Sequence, residues 1–356
     1  MAYMVDRWSR RKALGLMGIT WSVFTFITGT ARSFAGVLLP RLAVGIGEAG
    51  FPAASTALLG SAYSEKNRAR ILGLFSASMP LGMALGMMLG GYLSETYDSW
   101  RVPFYVFAVP GIILGIMAFF LKDYKTVKPV DELGNHRGFF QEVLSVIRIP
   151  TLRWMYAGYA ANLAMVMGFM VWISAFIMRT QELSVAEAGM IGGTIGLMGI
   201  IGGPMGGFLA DFWQSKNIRG RAYTMAVMPS IASITLFIAL HFDLVGIGYL
   251  MAILAGIFLV ACTPAANSIS QDVVAPSSKA ISWALAAFFS ILFGAAWAPP
   301  VVGAASDMLG GGAEGLKIAL MMLTPMGLIA SVCFYQSARH YPQDTDKVKG
   351  YSLEGE

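Results

Sequence analysis

Ten stretches of this 356-residue chain are apolar over roughly the length of a helix that crosses a bilayer, and no other feature restricts its fold so tightly. A hydrocarbon core of about 30 Å is spanned by about 20 helical residues. Runs of that size fall near 12–31, 35–62, 70–94, 102–121, 153–179, 187–210, 222–240, 245–271, 280–306 and 317–336. Glycine and proline recur inside them, which membrane helices tolerate. Residues 1–5 read as the tail of a further span. Only 13% of the residues are charged, whereas a soluble domain carries about 25%, so lipid replaces water around much of the surface.

The loops test this division. On one side of the alternating spans lie the basic segments 7–12, 66–70, 122–153 and 216–221, Lys279 and the C-terminal residues, which together hold 20 of the 25 Lys and Arg. The other side holds four, Arg32, Arg101, Arg179 and Lys317, and Arg41 lies within a span. Basic loops mark the cytoplasmic side, so both chain ends are expected there, in a multi-pass protein of the cell membrane. The net charge of +5 is a topology signal and gives no reason to expect nucleic acid.

The expected fold class is an all-α membrane protein of two helical bundles. Residues 1–121 form an N-terminal bundle, 122–152 a cytoplasmic linker, 153–336 a six-helix C-terminal bundle and 337–356 a cytoplasmic tail. In the linker, Phe139, Phe140, Val143, Leu144 and Ile147 share one helical face, the pattern of a short helix lying in the membrane interface; a solvated linker helix is the other reading.

The residue inventory argues against several function classes. Cys262 and Cys333 lie inside apolar runs, without metal-ligand spacing or a disulfide pattern. His136, His241 and His340 fall in or beside loops, with no nucleophile or acid placed as a partner, so an enzyme is not expected. No G-x-x-x-x-G-K-[ST] segment occurs for a nucleotide-driven pump. No cofactor or metal is expected. A proton gradient is the expected energy source, and the expected partners are the bilayer and a small solute, with the chain a monomer.

The phrase "AYMVDRWSRR" near the start is restated as "GGFLADFWQSKNIRGR" about 200 residues later, with Asp6 matching Asp211 and Trp8 matching Trp213. An internal repeat of six-helix size marks secondary transporters. Both copies resemble the loop signature G-x-L-A-D-x-x-G-R-R of the major facilitator superfamily, which joins the second and third helices of each half; Ala2 replaces the glycine in the first copy. The resemblance implies that helix one and most of helix two are missing from this sequence, which is then an incomplete transporter. "RLAVGIGEAGFPAAS" (41–55), "SWRVPFYVFAVPG" (99–111) and "FMVWISAFIMRTQELSVAEAG" (169–189) resemble the spinster-like branch of that superfamily. Sugar-acid and organic-anion symporters with a related G-E segment are the nearest alternative; a transport-dead regulatory membrane protein and a membrane-embedded enzyme are the more remote ones.

Glu48 is the outstanding candidate for coupling. A carboxylate in mid-bilayer costs about 2.5–3.5 kcal/mol on insertion scales, so its presence asks for a role: a protonatable switch, or a structural ion pair. Arg41 lies on the same face, but seven residues at 1.5 Å each separate the two Cα atoms by about 10 Å, too far for an ideal pair. Further cavity candidates are Asn162, Trp172, Thr263, Asn267, Trp283, Ser290 and Trp297. With walls otherwise of Met, Phe and Trp, an amphipathic or anionic solute fits better than a free sugar.

The resemblance implies a second role for the loop acids, docking on helix N-termini of the opposite half, where partial positive charge favours a carboxylate. In this cytoplasmic latch Asp6 groups with Arg10, Arg11 and Glu65. Asp211 groups with Arg219, Arg221 and Asp272, and docks at the start of the span at Arg70. Two glycine series, Gly82, Gly86 and Gly90, and Gly192, Gly196, Gly199, Gly203 and Gly206, read as helix-packing stripes. "GMMLGG" (86–91) lacks the proline of the antiporter signature, which counts against an exchanger.

Overall fold

Each expected run has a helix under it, and the helices approach most closely where glycine removes the side chain. The computed structural model describes residues 10–48, 51, 55, 58–59, 65–121, 139–275 and 278–349. Contacts divide the chain into two units, Met1–Gly134 and Asn135–Glu356.

The first unit contains α1 (Arg10–Gly29), α2 (Phe34–Glu48), α3 (Glu65–Thr96) and α4 (Val102–Ala118). α1 and α4 cross at Gly15 and Gly115. A Cβ on Gly15 would lie 2.8 Å from the Gly115 carbonyl oxygen, and one on Gly115 would lie 2.9 Å from the Ile19 nitrogen. Backbone contact of this kind is what small residues permit. Ala13, Leu14, Met17 and Leu58 form the small core beside it. The last carbonyls of α1 have no partners within the helix. Tyr105 donates to Gly29 O at 2.8 Å and Arg101 to Ala31 O just beyond at 2.9 Å, which ties α1 to the start of α4.

The packing stripe expected on α3 makes little contact among the described residues: none of them lies within 4 Å of a Cβ built on Gly82 or Gly86, and Phe107 lies at 4.0 Å from one on Gly90. The glycines at the α1–α4 crossing, Gly15, Gly18, Gly111 and Gly115, come as two short pairs on separate helices, with no run of three at one spacing to mark them.

The second unit begins with the short helix α5 (Phe139–Ile147). Its six spans are Pro150–Gln181, Val185–Gln214, Gly220–His241, Ile247–Asp272, Ile281–Met308 and Gly312–Val348, all long and apolar enough to cross a membrane. Pro150–Gln181 is α6 and Gly220–His241 is α9. The other spans are interrupted: α7 (Val185–Leu197) meets α8 (Gly199–Gln214), and α10 (Ile247–Ala261) meets α11 (Thr263–Asp272). α12 (Lys279–Ser290) passes through a π-helical turn, Ile291–Ala295, into α13 (Ala298–Met308), and α14 (Gly312–Leu323) meets α15 (Pro325–Lys349). Pro264, Pro299, Pro300 and Pro325 stand at three of these breaks, where a missing N–H leaves a carbonyl four residues back unpaired. Ser184 and Glu187 form a reciprocal capping box at the start of α7, fixing where that span begins.

On α7 and α8 the glycine stripe exists but is rotated from the expected one. A Cβ on Gly202 would lie 2.0 Å from Ile257 O, and one on Gly206 only 1.9 Å from Ala261 O. Gly192 and Gly199 are buried with them, whereas among the described residues nothing lies within 4 Å of a Cβ on Gly196 or Gly203. A 3.6-residue turn carries those two onto the next face.

The segment from 337 onward, expected as a tail, continues α15 without interruption to Lys349. Ala338, Tyr341 and Asp344 in it are 1%, 1% and 4% exposed. Asp344 explains why: its Oδ2 accepts from the Thr151 N–H at 3.1 Å and the Thr151 hydroxyl at 2.8 Å. It therefore caps the N-terminus of α6 from the far end of the unit, where an anion is favoured.

Candidate solute cavity and charge cluster

Two arrangements in the second unit bring chemically distinct side chains together. The first is a cavity of about 450 Å³ lined by Ile147 of α5, Arg153, Tyr156, Ala157, Ala160 and Ala161 of α6, Phe289, Phe293, Trp297 and Met326. The alanines share one face of α6, and they leave the floor flat. Beside them Tyr156 of α6 continues into Phe289 and Phe293 as an aromatic stack, with centroids 5.5 and 5.9 Å apart and interplanar angles of 19° and 16°. Tyr156 holds its orientation by donating to Ser282 O at 2.9 Å.

The π-helical turn is what aligns this wall. In a regular α-helix residues four apart drift by about 40° around the axis. The wider turn, closed by the Ala296 N–H on Ile291 O at 2.9 Å, absorbs the drift, so Phe289, Phe293 and Trp297 stay on one side. Gly294 lies behind them, where a Cβ would be 2.4 Å from Ala160 O, which presses the aromatic wall against α6. Arg153 is the only charged side chain of the lining. It is exposed at the basic end of the spans, and among the described residues its guanidinium has no partner.

The second arrangement is a charge cluster at that same end. Arg221 donates from Nη2 and Nε to Asp211 Oδ1 at 2.9 and 3.2 Å, and from Nη1 to Asp272 Oδ2 at 2.9 Å. Tyr341 of α15 donates to the same Asp272 oxygen at 2.7 Å. The Asp272 side chain is 29% exposed and the Asp211 side chain 69%, so the inner pair carries the cluster while the outer one faces solvent. Arg219 does not join it: its backbone N–H donates to Asn217 at 2.9 Å, and Arg221 alone bridges the two acids.

In the first unit Arg41, Gly45 and Glu48 lie along one exposed face of α2. Among the described residues no atom comes within 4 Å of a Cβ built on Gly45. Arg41 lies over the ring of Phe104 with its Cζ 5.1 Å from the centroid, and among the described residues no ion pair joins it to Glu48.

This combination of a helical repeat, a signature-loop charge cluster and a pocket inside a helical bundle is the arrangement of a known family, whose model, the Major Facilitator Superfamily, matches residues 1–299. The chain belongs to the Major Facilitator Superfamily. An MFS-type efflux pump of Mycolicibacterium smegmatis is 26% identical over 347 residues, 91% of this chain and 76% of that protein. A hexuronate transporter of Bacillus subtilis is 24% identical over 224 residues, 60% of this chain and 52% of that one. A sphingosine-1-phosphate transporter of Danio rerio is 23% identical over 376 residues, 97% and 74%. Among solved structures, a bacterial homolog of the lysosomal transporter spinster, inward-facing and unoccupied, superposes with a TM-score of 0.82 at 22% identity, covering 96% of this chain and 86% of that one. The protein is thus a multi-pass membrane transporter of the facilitator type, and the segments that resemble the spinster-like branch have counterparts among these relatives.

Within this facilitator, of the cavity residues named from sequence only Trp297 lines the cavity. Its indole N–H is spent on Phe293 O. Trp172 is turned to Pro299 O at 2.9 Å, bracing α13. Ser290 is buried and bonded to Ala287 O at 3.0 Å. Asn267 accepts from Gln271 at 2.6 Å, and Trp283 packs on Tyr159 at 5.8 Å. Thr263 opens α11 at the break. Asn162 is 2% exposed and donates to Leu259 O at 3.3 Å, with its Oδ1 unpartnered among the described residues. Asn162 and Trp172 thus join neighbouring helices while Ser290 and Asn267 bond within their own, because a buried polar group in a span must find an internal partner. Asp6 lies outside the described residues, as do the side chains of Arg10, Glu65 and Arg70. Arg11 donates to Leu121 O at 3.3 Å. Arg153, Tyr156, Phe289, Phe293 and Tyr341 were missed. The spacing of four in Phe289, Phe293 and Trp297, followed by Pro299-Pro300, was the available signal.

Proposed function

We propose that this transporter carries an amphipathic anion, that proton movement through Glu48 drives it, and that its cavity opens to the two sides of the membrane in turn. The observation that supports this reading is the composition of the cavity wall. Stacked rings and alanines receive a hydrocarbon or aromatic portion, while Arg153 at the mouth meets an acidic group with a planar set of donors. The sphingosine-1-phosphate named for the zebrafish relative is a phosphate ester on a long apolar chain, which favours the same class. A hexuronate, named for the Bacillus relative, has a hydroxyl on nearly every carbon. It would require several polar side chains where Ala157, Ala160, Phe289 and Phe293 stand, since unpaired buried hydroxyls are costly.

Proton coupling rests on Glu48 as an acid within a span, where ionisable groups mark ion and proton pathways. The loop charges support a placement of both chain ends on the cytoplasmic side of a cell membrane, with the Asp211–Arg221–Asp272 cluster as part of a latch that opens in each cycle. A monomer suffices for this cycle.

The test is uptake by proteoliposomes of a long-chain alkyl phosphate and of a hexuronate, with and without an imposed pH gradient. The alkyl phosphate is expected to accumulate and a protonophore to collapse the accumulation. Arg153→Gln should weaken uptake by about tenfold or more, the value of one charge-assisted hydrogen bond of about 1.5–3 kcal/mol. Accumulation of the hexuronate alone, unaffected by Arg153→Gln, would overturn the reading.

A further inference from the structure

A second cavity, of about 400 Å³, lies at the basic end of the second unit, apart from the solute cavity. It is walled by Ser145, Arg148 and Ile149 at the end of α5, by Val273, Val274, Ala275 and Ser278 between α11 and α12, and by Asp344, Lys347 and Val348 of α15. Its charge is not what a residue list suggests. Asp344 is the only acid of the lining, and both its oxygens are taken: Oδ2 by Thr151, Oδ1 by Lys347 Nζ at 3.0 Å. Glu142, just outside, is held by the Ser278 hydroxyl at 2.8 Å. Arg148 is exposed, and among the described residues no group neutralises it. The cavity is left with Arg148 and the solvent-facing donors of Lys347, whose side chain is 72% exposed, around a hydroxyl-bearing rim.

α5 supplies the second observation. Phe140, Leu144 and Arg148 follow at four-residue spacing, and Phe140 and Leu144 are 84% and 48% exposed. On the opposite side of the same helix Val146 is 2% exposed, packed into the core. α5 therefore has two apolar faces, one on the protein and one turned outward, and the outward one ends in a cation at the rim of the cavity. Two large apolar side chains leading to an arginine, at the level where the spans end, match the profile of a bilayer from acyl chain to phosphate.

We propose that this cavity binds the phosphate headgroup of an acidic phospholipid, with Arg148 and Lys347 as its cations and Phe140 and Leu144 seated beside its acyl chains. A lipid so placed bridges α5 to the end of α15. The same phosphate chemistry in a soluble anion would use the cations but not the apolar stripe.

The experiment is thermal unfolding of the full chain in neutral detergent, titrated with dioleoylphosphatidylglycerol, with dioleoylphosphatidylcholine or with inorganic phosphate. The phosphatidylglycerol should raise the melting temperature saturably and the phosphatidylcholine should not. Arg148→Gln should weaken the apparent affinity by about fivefold, Phe140→Ser should weaken it further, and Arg219→Gln, a basic-end control, should leave it unchanged. Arg148 holds no described partner, so its variant should melt like the unsubstituted protein without lipid. Lys347→Gln serves as a second variant if it too melts normally. Equal shifts with both lipids, or an unchanged affinity in Arg148→Gln, would overturn the site. Protection by inorganic phosphate equal to that by phosphatidylglycerol would overturn the lipid assignment.

Discussion

Two Arg–carboxylate pairs in this transporter differ by three residues of spacing and end in opposite states. Arg41 and Glu48 stand seven apart on α2, a single unbroken helix, and do not meet. Asp211 and Arg221 stand ten apart, and bond at 2.9 Å. The separation in sequence misleads because what matters is the path between them. Along a straight helix seven residues advance about 10 Å, and no rotamer of Arg41 removes that distance cheaply. The chain between Asp211 and Arg221 reverses through Gly220, where a Cβ would lie 2.1 Å from the Trp213 carbonyl carbon. Only glycine lets α9 start so close to the end of α8. The first pair leaves an acid open to change its protonation, and the second closes one into a fixed network.

The comparison breaks most visibly at Glu48. In proteoliposomes Glu48→Gln should reduce proton-driven accumulation to background while the protein remains folded and inserted. The amide keeps the volume and hydrogen-bonding shape but cannot take up and release a proton. Melting should change little, since no described ion pair is lost. Wild-type accumulation with an unaltered pH dependence in this variant would show that the open acid is not the coupling group.

The closed network should respond in stability, and unequally. Asp272→Asn removes the charged acceptor shared by Arg221 and Tyr341, at a cost of about 1.5–3 kcal/mol for hydrogen bonds to a charged group. Asp211→Asn, at the exposed end, should cost about 0–1 kcal/mol, as exposed pairs do. A larger effect at Asp211 than at Asp272 would reverse the assignment of which pair carries the cluster. If the cluster also acts as a latch, Asp211→Asn should still shift the balance of inward- and outward-facing states measured by cysteine accessibility, despite its small effect on melting.

These pairs also mark what could be read from residues alone. The spans were legible because length and apolarity suffice to define them, and five of the six in the second unit match the observed helices to within a few residues, while the last runs twelve residues further, to Val348. Signature loops were legible because the repeat states them twice. The solute cavity was not. Polar residues in the spans, such as Asn162 and Ser290, were natural candidates, yet Asn162 bonds to Leu259 of a neighbouring helix and Ser290 to Ala287 of its own. The wall is made of residues that look like core, and it becomes a wall only through the π-helical turn at Ile291–Ala295, which periodicity at 3.6 does not reveal. Tyr341 and Asp344 were hidden for another reason: a polar stretch after the last apolar run reads as a tail until Thr151 and Asp272 are known to lie beside it.

The finest test of the comparison concerns what Arg41 does instead of pairing. Its guanidinium sits over Phe104, a contact of about 0.5–1 kcal/mol at an exposed site. Phe104→Leu keeps the apolar volume and removes the ring quadrupole, so its effect on melting should be no greater than that. Phe104 also packs edge-on against Trp100 at 5.8 Å, and Trp100→Leu controls for loss of that contact alone. With the ring gone, Arg41 is free to extend along α2 toward Glu48. If it shortens the gap, the pH midpoint of accumulation should fall in Phe104→Leu and not in Trp100→Leu, because a nearby cation favours the charged carboxylate. An unchanged midpoint would mean that distance along the helix, and not the hold of Phe104, keeps the pair apart.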